Sequence, residues 1–96
     1  MQKVNNPLVS VIITTRNEES VIEGLLRSIR NQTYLSLEII LVDNHSTDRT
    51  CEIARTVVDK LIIQGPERSA QRNLGVRASS GNYVLILDLL TYLTIF

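Results

Sequence analysis

Short apolar runs alternate along the chain with segments in which apolar residues recur at helical spacing. The runs cover 8–13, 37–42, 61–63 and 83–87, and polar, glycine or proline residues bound them. Runs of this length that are rich in β-branched residues are typical of buried strands. Helices are predicted between them, with apolar faces over 21–29 and 53–58 and a third helix over about 69–79. We therefore predict four strands that alternate with three helices.

This alternation predicts the fold class. Strands separated by helices are joined by right-handed crossovers, which place the strands in a mostly parallel sheet with helices on both faces. The predicted fold is α/β, a Rossmann-like doubly wound sheet. No repeat, low-complexity run or linker divides residues 1–96, so we expect a single small domain followed by an apolar tail at 89–96.

Composition and charge narrow the possible partners and locations. Ten basic and ten acidic residues balance, so no overall field attracts nucleic acid or anionic lipid. The single cysteine, Cys51, has no partner for an internal disulfide, and residues 1–7 lack the apolar core of a secretory signal. The apolar C-terminal stretch is shorter than the ~20 residues that a membrane-spanning helix needs. We expect a cytoplasmic protein with no transmembrane segment, whose full-length relatives could work at the inner face of the membrane.

Polar side chains follow the predicted strands where each strand ends. In an open α/β sheet this edge binds ligands, because helix N-termini and loop amides point toward it. The residues concerned are Thr14, Thr15, Arg16, Asn17 and Glu18 after the first strand, Asp43 and Asn44 after the second, Arg68 after the third, and Asp88 after the fourth. The sequence therefore predicts one binding edge built from four loops.

Two of these acids directly follow apolar runs, where an unpaired buried carboxylate is costly. Asp43 is interpreted either as a ligand contact or as a cap of the next helix, although Ser46, Thr47 and Asp48 already supply caps. Asp88 is either a ligand contact or a carboxylate at a solvated strand end. Position alone leaves both alternatives open.

Two arginines, Arg68 and Arg72, lie one helical turn apart near the start of the third helix. Their guanidinium groups could make paired hydrogen bonds to phosphate oxygens, or they could form a solvated charged face. His45 is the only histidine, and without a second histidine we interpret it as a turn residue.

Several motifs occur in the order and spacing of a known family. They are VSVII at 9–13 with NEE at 17–19, NQTY at 31–34, EIILVDN at 38–44 with STD at 46–48, RSAQRNLG at 68–75 and GNYVLILD at 81–88. Each motif alone is a weak signal, and the ordered set is specific. Over residues 8–88 the chain resembles inverting family 2 glycosyltransferases of the GT-A type.

The resemblance implies an enzyme that transfers a sugar from a UDP- or GDP-linked donor to an acceptor hydroxyl. It also implies a divalent metal, Mg²⁺ or Mn²⁺, bridging the diphosphate. The implied donor-binding residues are Thr15, Arg16, Asn17 and Glu18 for base and ribose, Asp43 and Asn44 for the base, Arg68 near the base or diphosphate, and Asp88 as the first acid of an Asp-x-Asp metal motif.

Departures from the family pattern affect this site. Thr14 replaces a common proline, Arg16 a common tyrosine, Asn44 a frequent aspartate and His45 a frequent glycine. The second acid of the metal motif is replaced by Leu90, which cannot ligate a metal, so weak metal affinity is expected. The chain ends before the family's catalytic base, so no catalytic residue is assigned. We interpret it as a truncated donor-binding fragment, from a frameshifted gene or a deliberate fragment, with little or no activity of its own.

Other functions fit less of the sequence. A degenerate, non-catalytic fragment could keep the fold and bind a nucleotide or a partner, with self-association through the apolar tail 89–96. A dinucleotide-dependent oxidoreductase is disfavoured because no glycine-rich turn follows the first strand, and a P-loop is disfavoured because no Gly-Lys-Ser or Gly-Lys-Thr occurs.

Overall fold

The computed structural model describes residues 6–34 and 36–89. Within these ranges strands and helices alternate, and the sheet order is β3-β2-β1-β4 with every pairing parallel. The elements are β1 Val9–Thr15, α1 Glu19–Arg30, β2 Leu37–Asp43, α2 Thr50–Ala54, β3 Lys60–Ile63, α3 Arg68–Ala78 and β4 Tyr83–Asp88. The predicted α/β fold, with its strand and helix order, is confirmed.

The second helix differs from the prediction over 53–58. It begins earlier, at Thr50, and ends at Ala54. Threonine and valine at 56–58 are β-branched and lose side-chain freedom in a helix, which favours an early end. The amides of Val57 and Val58 still donate to the carbonyl of Ala54, so the chain leaves the helix through a tight turn.

Helices cover both faces of the central strands. On one face, α1 and α2 pack on side chains such as Val11, Ile13 and Leu41; on the other, α3 lies over Ile12, Ile40 and Val42. Helix α3 approaches closely because Gly75 has no side chain: a Cβ there would lie 2.5 Å from Cγ2 of Ile12. These central strands form the core that fixes the loops.

Strands β1, β2 and β4 end at the same edge of the sheet. Thr15 is in register with Asp43, and Thr14 is in register with Asp88. The predicted meeting of these strand ends is therefore confirmed. Successive side chains of a strand point to opposite faces, so Thr15 and Asp43 face α1 and α2 whereas Asp88 faces α3. The two acids share an edge but not a face.

The outer strand β4 is exposed along most of its length. Tyr83 is 64% exposed, Val84 41%, Leu85 50% and Ile86 39%. Strand β4 pairs with β1 alone in the described sheet, which leaves an apolar edge. Of the predicted apolar tail, Leu89 packs against the α1 and α2 side of the core, and 90–96 lie outside the described residues.

None of the described helices is long and apolar enough to cross a membrane.

Candidate functional site

The centre of the C-terminal edge is a buried pair between neighbouring strands. The Thr15 hydroxyl donates a hydrogen bond to Oδ1 of Asp43 over 2.7 Å, and both residues are fully buried. Ser46 donates its hydroxyl to the same oxygen over 2.6 Å and its amide to Oδ2 over 2.7 Å. With three donors, the Asp43 carboxylate tolerates its burial. These bonds close the β2–α2 loop on itself. At the start of α2 the N-cap residue is Arg49, and the Thr50 backbone amide donates to Oδ1 of Asp48 rather than to Asp43.

The β1–α1 and β2–α2 loops are tied together by reciprocal hydrogen bonds. The backbone N–H of Asn17 donates to the Ser46 hydroxyl over 2.7 Å, and the backbone N–H of Thr47 donates to the side-chain oxygen Oδ1 of Asn17 over 2.8 Å. Nη1 of Arg16 donates to the carbonyls of Asn44 and His45, over 2.7 and 3.1 Å. The two loops therefore act as one unit.

Backbone conformation marks the same two loops. Among the described residues, the non-glycine positions with positive φ are Asn17, at 53°, and His45, at 46°. Asparagine tolerates this left-handed region, and histidine is also enriched there. His45 lies in the loop, as its interpretation as a turn residue predicts, and its φ explains why a glycine would suit this position.

Glu18 lies beneath the joined loops. It is 5% exposed, and its amide donates to the Thr50 hydroxyl. Burial, followed by the nearby charge of Asp48, raises the pKa of the Glu18 carboxyl. Burial would also raise the pKa of Asp48, but hydrogen bonds from Thr50 and from the Glu19 amide lower it. The site therefore holds two carboxyls with opposite shifts: the pKa of Glu18 is raised and that of Asp48 is lowered.

Cys51 is half-buried beside Asp43, a contact that the sequence did not predict. Burial, then the hydrogen bond and negative charge of Asp43, raise the pKa of the Cys51 thiol to about 11. A raised pKa disfavours the thiolate, which is the nucleophilic form of cysteine.

On the opposite face, a buried glutamine connects α3 to the strand ends. Nε2 of Gln71 donates to the Val42 carbonyl over 3.0 Å and reaches the Thr15 carbonyl at 3.5 Å. Gln71 is fully buried, and its Oε1 has no hydrogen-bond partner in the described structure; nor has the hydroxyl of buried Thr14. Sequence reasoning missed Gln71. The signal was its helical spacing from Gly75 and Ala78, which places it on the stripe that faces the sheet.

The β3–α3 loop packs against the β2–α2 loop at Gly65. A Cβ on Gly65 would lie 2.0 Å from Oδ1 of Asn44, so the Asn44 side chain rests against the backbone of the β3–α3 loop. Arg68 begins α3 and is exposed. The loop that leads to Arg68 thus joins the same edge.

Asp88 is paired with a cation from α3. Nη1 of Arg72 lies 2.8 Å from Oδ2 of Asp88, and the two side chains are 37% and 11% exposed. Asp88 is thus not at a fully solvated strand end, which was one of the two alternatives that its position left open. The structure groups Asp88 with Arg72 on the α3 face, apart from Asp43.

The residues as they stand do not fit a resident metal. No group of three acid, histidine or cysteine side chains suited to a metal occurs within the described ranges. Asp43 has its oxygens occupied by donors, and Asp88 faces the other side of the sheet with Arg72 bound to it. Mg²⁺ in nucleotide sites is held by one or two carboxylates together with phosphate oxygens and water, and the carboxylate of Asp88 is already paired with Arg72.

The predicted site residues thus fall into two groups. Those joined around the β1 and β2 ends are Thr15, Arg16, Asn17, Glu18, Asp43 and Asn44; those on the α3 side are Arg68 and Asp88. The loops place both groups at one edge, on either side of the strand ends.

Comparisons with known proteins match this chain to one family. The family model described as Glycosyl transferase family 2 matches residues 10–89. An uncharacterized glycosyltransferase of Haemophilus influenzae is 36% identical over 94 residues, covering 88% of this chain and 37% of that protein. Glycosyltransferase AglE of Haloferax volcanii is 41% identical over 91 residues, covering 85% of this chain and 30% of that protein.

A solved structure matches as well. The mannosyltransferase PcManGT from Pyrobaculum calidifontis, in complex with GDP-Man and Mn²⁺, superposes with a TM-score of 0.78 at 32% identity, covering 88% of this chain and 28% of that one. The chain spans 37% and 30% of the two sequence relatives. Residues 10–89, which the family model matches, contain both groups of predicted site residues.

Proposed function

The chain belongs to glycosyl transferase family 2, and from this membership we propose that it holds the nucleotide-sugar donor of a glycosyl transfer at the C-terminal edge of its sheet. Its relatives are named glycosyltransferases, and its fold is part of the GT-A fold. We propose a UDP- or GDP-linked donor; the PcManGT complex contains GDP-Man. The observation that carries the proposal is the joining of the β1–α1 and β2–α2 loops at the edge where such sheets bind ligands.

Within this proposal, buried and accessible residues have different roles. Thr15 and Asp43 are fully buried and bonded to each other, so they act by fixing the loops. Arg16, Asn17 and Asn44 keep accessible surface, which supports the proposal that their side chains and neighbouring amides contact the nucleobase and ribose. Glu18 is buried below them and supports the β1–α1 loop from beneath.

The diphosphate is assigned to the α3 side of the edge. Arg68 is exposed in the first turn of α3, where the helix dipole also favours an anion. A guanidinium makes strong, paired hydrogen bonds to phosphate oxygens. A donor extending from the joined loops toward Arg68 would cross the ends of β2 and β1.

The acceptor site and the catalytic base are not assigned to this chain in the proposal. Inverting transfer needs a base that deprotonates the acceptor hydroxyl, and no described residue is assigned that role. Since the chain spans about a third of its relatives' length, we propose that the remaining part of such a protein supplies both groups. Cytoplasmic location remains a prediction.

Calorimetric titration tests donor binding. The chain is titrated with GDP, UDP, GDP-mannose and UDP-glucose, and at least one is expected to bind. Arg16→Ala should weaken that binding by about tenfold, because it removes the hydrogen bonds that link the β1–α1 loop to the carbonyls of Asn44 and His45 in the β2–α2 loop. The matched control is Arg27→Ala, which removes an exposed arginine paired with Glu23 on the surface of α1 and should leave affinity unchanged. No binding by any of the four compounds would refute the proposal.

The second candidate function is partner binding through β4 without chemistry. The specific observation is the row of exposed apolar residues from Tyr83 to Ile86 on an outer strand. Strands buried on both faces typically read as continuous apolar runs, so β4 has the composition of an interior strand. Light scattering after size-exclusion chromatography tests this candidate: a monomer at every concentration would contradict self-association, and a dimer that Leu85→Lys dissociates would support it.

A further inference from the structure

The ion pair between Arg72 and Asp88 stands where the family resemblance implies a metal. The guanidinium of Arg72 lies 2.8 Å from the carboxylate of Asp88, and the carboxylate is 11% exposed. We propose that Arg72 takes the place of a divalent cation at Asp88, so that this chain binds a nucleoside diphosphate group without a metal. The part that concerns the nucleotide rests on the proposed function.

The carboxylate geometry disfavours a metal at this position. To bind Asp88, a divalent ion would have to displace the guanidinium of Arg72 from its carboxylate. Within the described ranges no other acid is grouped with Asp88 to share the ion, since residues 89 and 90 are leucines and Asp43 faces the other side of the sheet. Without a nucleotide to add phosphate oxygens, a single carboxylate holds Mn²⁺ or Mg²⁺ weakly.

Arg72 can also provide the positive charge that a diphosphate requires. A guanidinium has five N–H donors in a planar fork, and in the described structure Arg72 uses Nη1 on Asp88. Arg68 lies one helical turn earlier on the same face of α3. Phosphate oxygens at this edge could therefore be met by two arginines, one of which Asp88 orients.

Thermal unfolding in the absence of nucleotide tests whether Arg72 takes the place of a divalent cation at Asp88. Arg72→Gln should lower Tm by about 4–8 °C, because Asp88 loses its counter-charge. If Arg72 stands in the place of a cation, millimolar Mn²⁺ should restore part of that Tm, relative to NaCl of equal ionic strength. Wild type should not respond to Mn²⁺. Arg72→Gln combined with Asp88→Asn should not respond either.

The control for this series is Arg77→Gln, which removes another arginine of α3 that is exposed in the last turn. Its Tm should match that of wild type with and without Mn²⁺. A rise in the Tm of wild type with Mn²⁺ that Asp88→Asn abolishes would overturn the inference. So would an Arg72→Gln variant that folds, as judged by circular dichroism, and ignores Mn²⁺.

A second measurement compares GDP and UDP affinity in EDTA and in Mn²⁺. Equal affinities for wild type, with a loss of about tenfold in EDTA for Arg72→Gln, support the inference. A gain of about tenfold or more on adding Mn²⁺ overturns it. If neither nucleotide binds in either buffer, the proposed donor site fails, and the unfolding series still decides whether Arg72 occupies the place of a cation.

Discussion

The hydroxyl of Thr15 donates a hydrogen bond to the carboxylate of Asp43, and both side chains are fully buried at the ends of adjacent parallel strands. This pair joins the two strands whose following loops form the candidate site. Ser46 bonds to the same carboxylate and also receives the Asn17 amide. A buried carboxylate thus organises the loop at the surface through its hydrogen bonds to Ser46.

Thr15→Val should destabilise the fold, because valine matches threonine in shape and removes one of the donors to Asp43. We expect the free energy of unfolding to fall by about 1–3 kcal/mol, the range for a hydrogen bond to a buried charged group. Urea denaturation followed by circular dichroism measures the change. An unfolding free energy equal to that of wild type would contradict the assigned role of Thr15.

Thr14→Val, at the neighbouring position, should not destabilise the fold. The Thr14 hydroxyl is buried and has no hydrogen-bond partner in the described structure, so valine removes a polar group that gains nothing from burial. We expect the unfolding free energy to stay equal or to rise by about 1 kcal/mol. A loss as large as that of Thr15→Val would show that an unseen group, such as a buried water, pairs with the hydroxyl.

Glu18→Gln should stabilise the chain at neutral pH. Burial and then Asp48 raise the pKa of Glu18 above its ordinary 4.5, so the native state binds this proton more tightly than the unfolded state. The associated stability is present below pH 4.5 and is lost as pH rises through the native pKa. The advantage of the glutamine variant should therefore be largest at pH 7 and shrink toward pH 4.

The measurement is urea denaturation of wild type and Glu18→Gln across this pH range. Glu23→Gln is the control, since Glu23 is exposed on the surface of α1. An advantage for the Glu18 variant that grows as pH falls would contradict the direction of the pKa shift.

Two glycines in helices should respond oppositely to alanine. At Gly75, a Cβ would lie 2.5 Å from the fully buried Ile12, and overpacking of about 1–3 kcal/mol outweighs the gain of about 1 kcal/mol in helix propensity. At Gly24, nothing lies within 4 Å of the added Cβ, so Gly24→Ala should stabilise by about 0.5–1 kcal/mol. Thermal unfolding of both variants checks the pair; equal shifts would contradict the close packing of α3.

The sequence was sufficient to predict the succession of strands and helices along the chain and the edge of the sheet at which the candidate site lies. Apolar runs that stop at Thr14, Asp43 and Asp88 mark where each strand leaves the core, because polar groups there must reach water or partners. Parallel crossovers then bring those ends to one side. The predicted site residues at these ends follow from these two facts.

The partners of those residues could not be predicted in the same way. Which face an acid takes depends on strand register, and a shift by one residue reverses it, so the separation of Asp43 from Asp88 required the structure. The Arg72–Asp88 pair joins residues of different elements. The buried amide of Gln71 likewise depends on how α3 packs over the ends of β1 and β2.

Amide chemical shifts measured by NMR on addition of GDP or UDP test most directly whether the joined loops after β1 and β2 bind the nucleotide. The largest shifts are expected at residues 15–18 and 43–47, with further shifts at Arg68 and Arg72. Shifts confined to the opposite edge of the sheet, around Glu38 and Ser80, or no shifts at all, would contradict it.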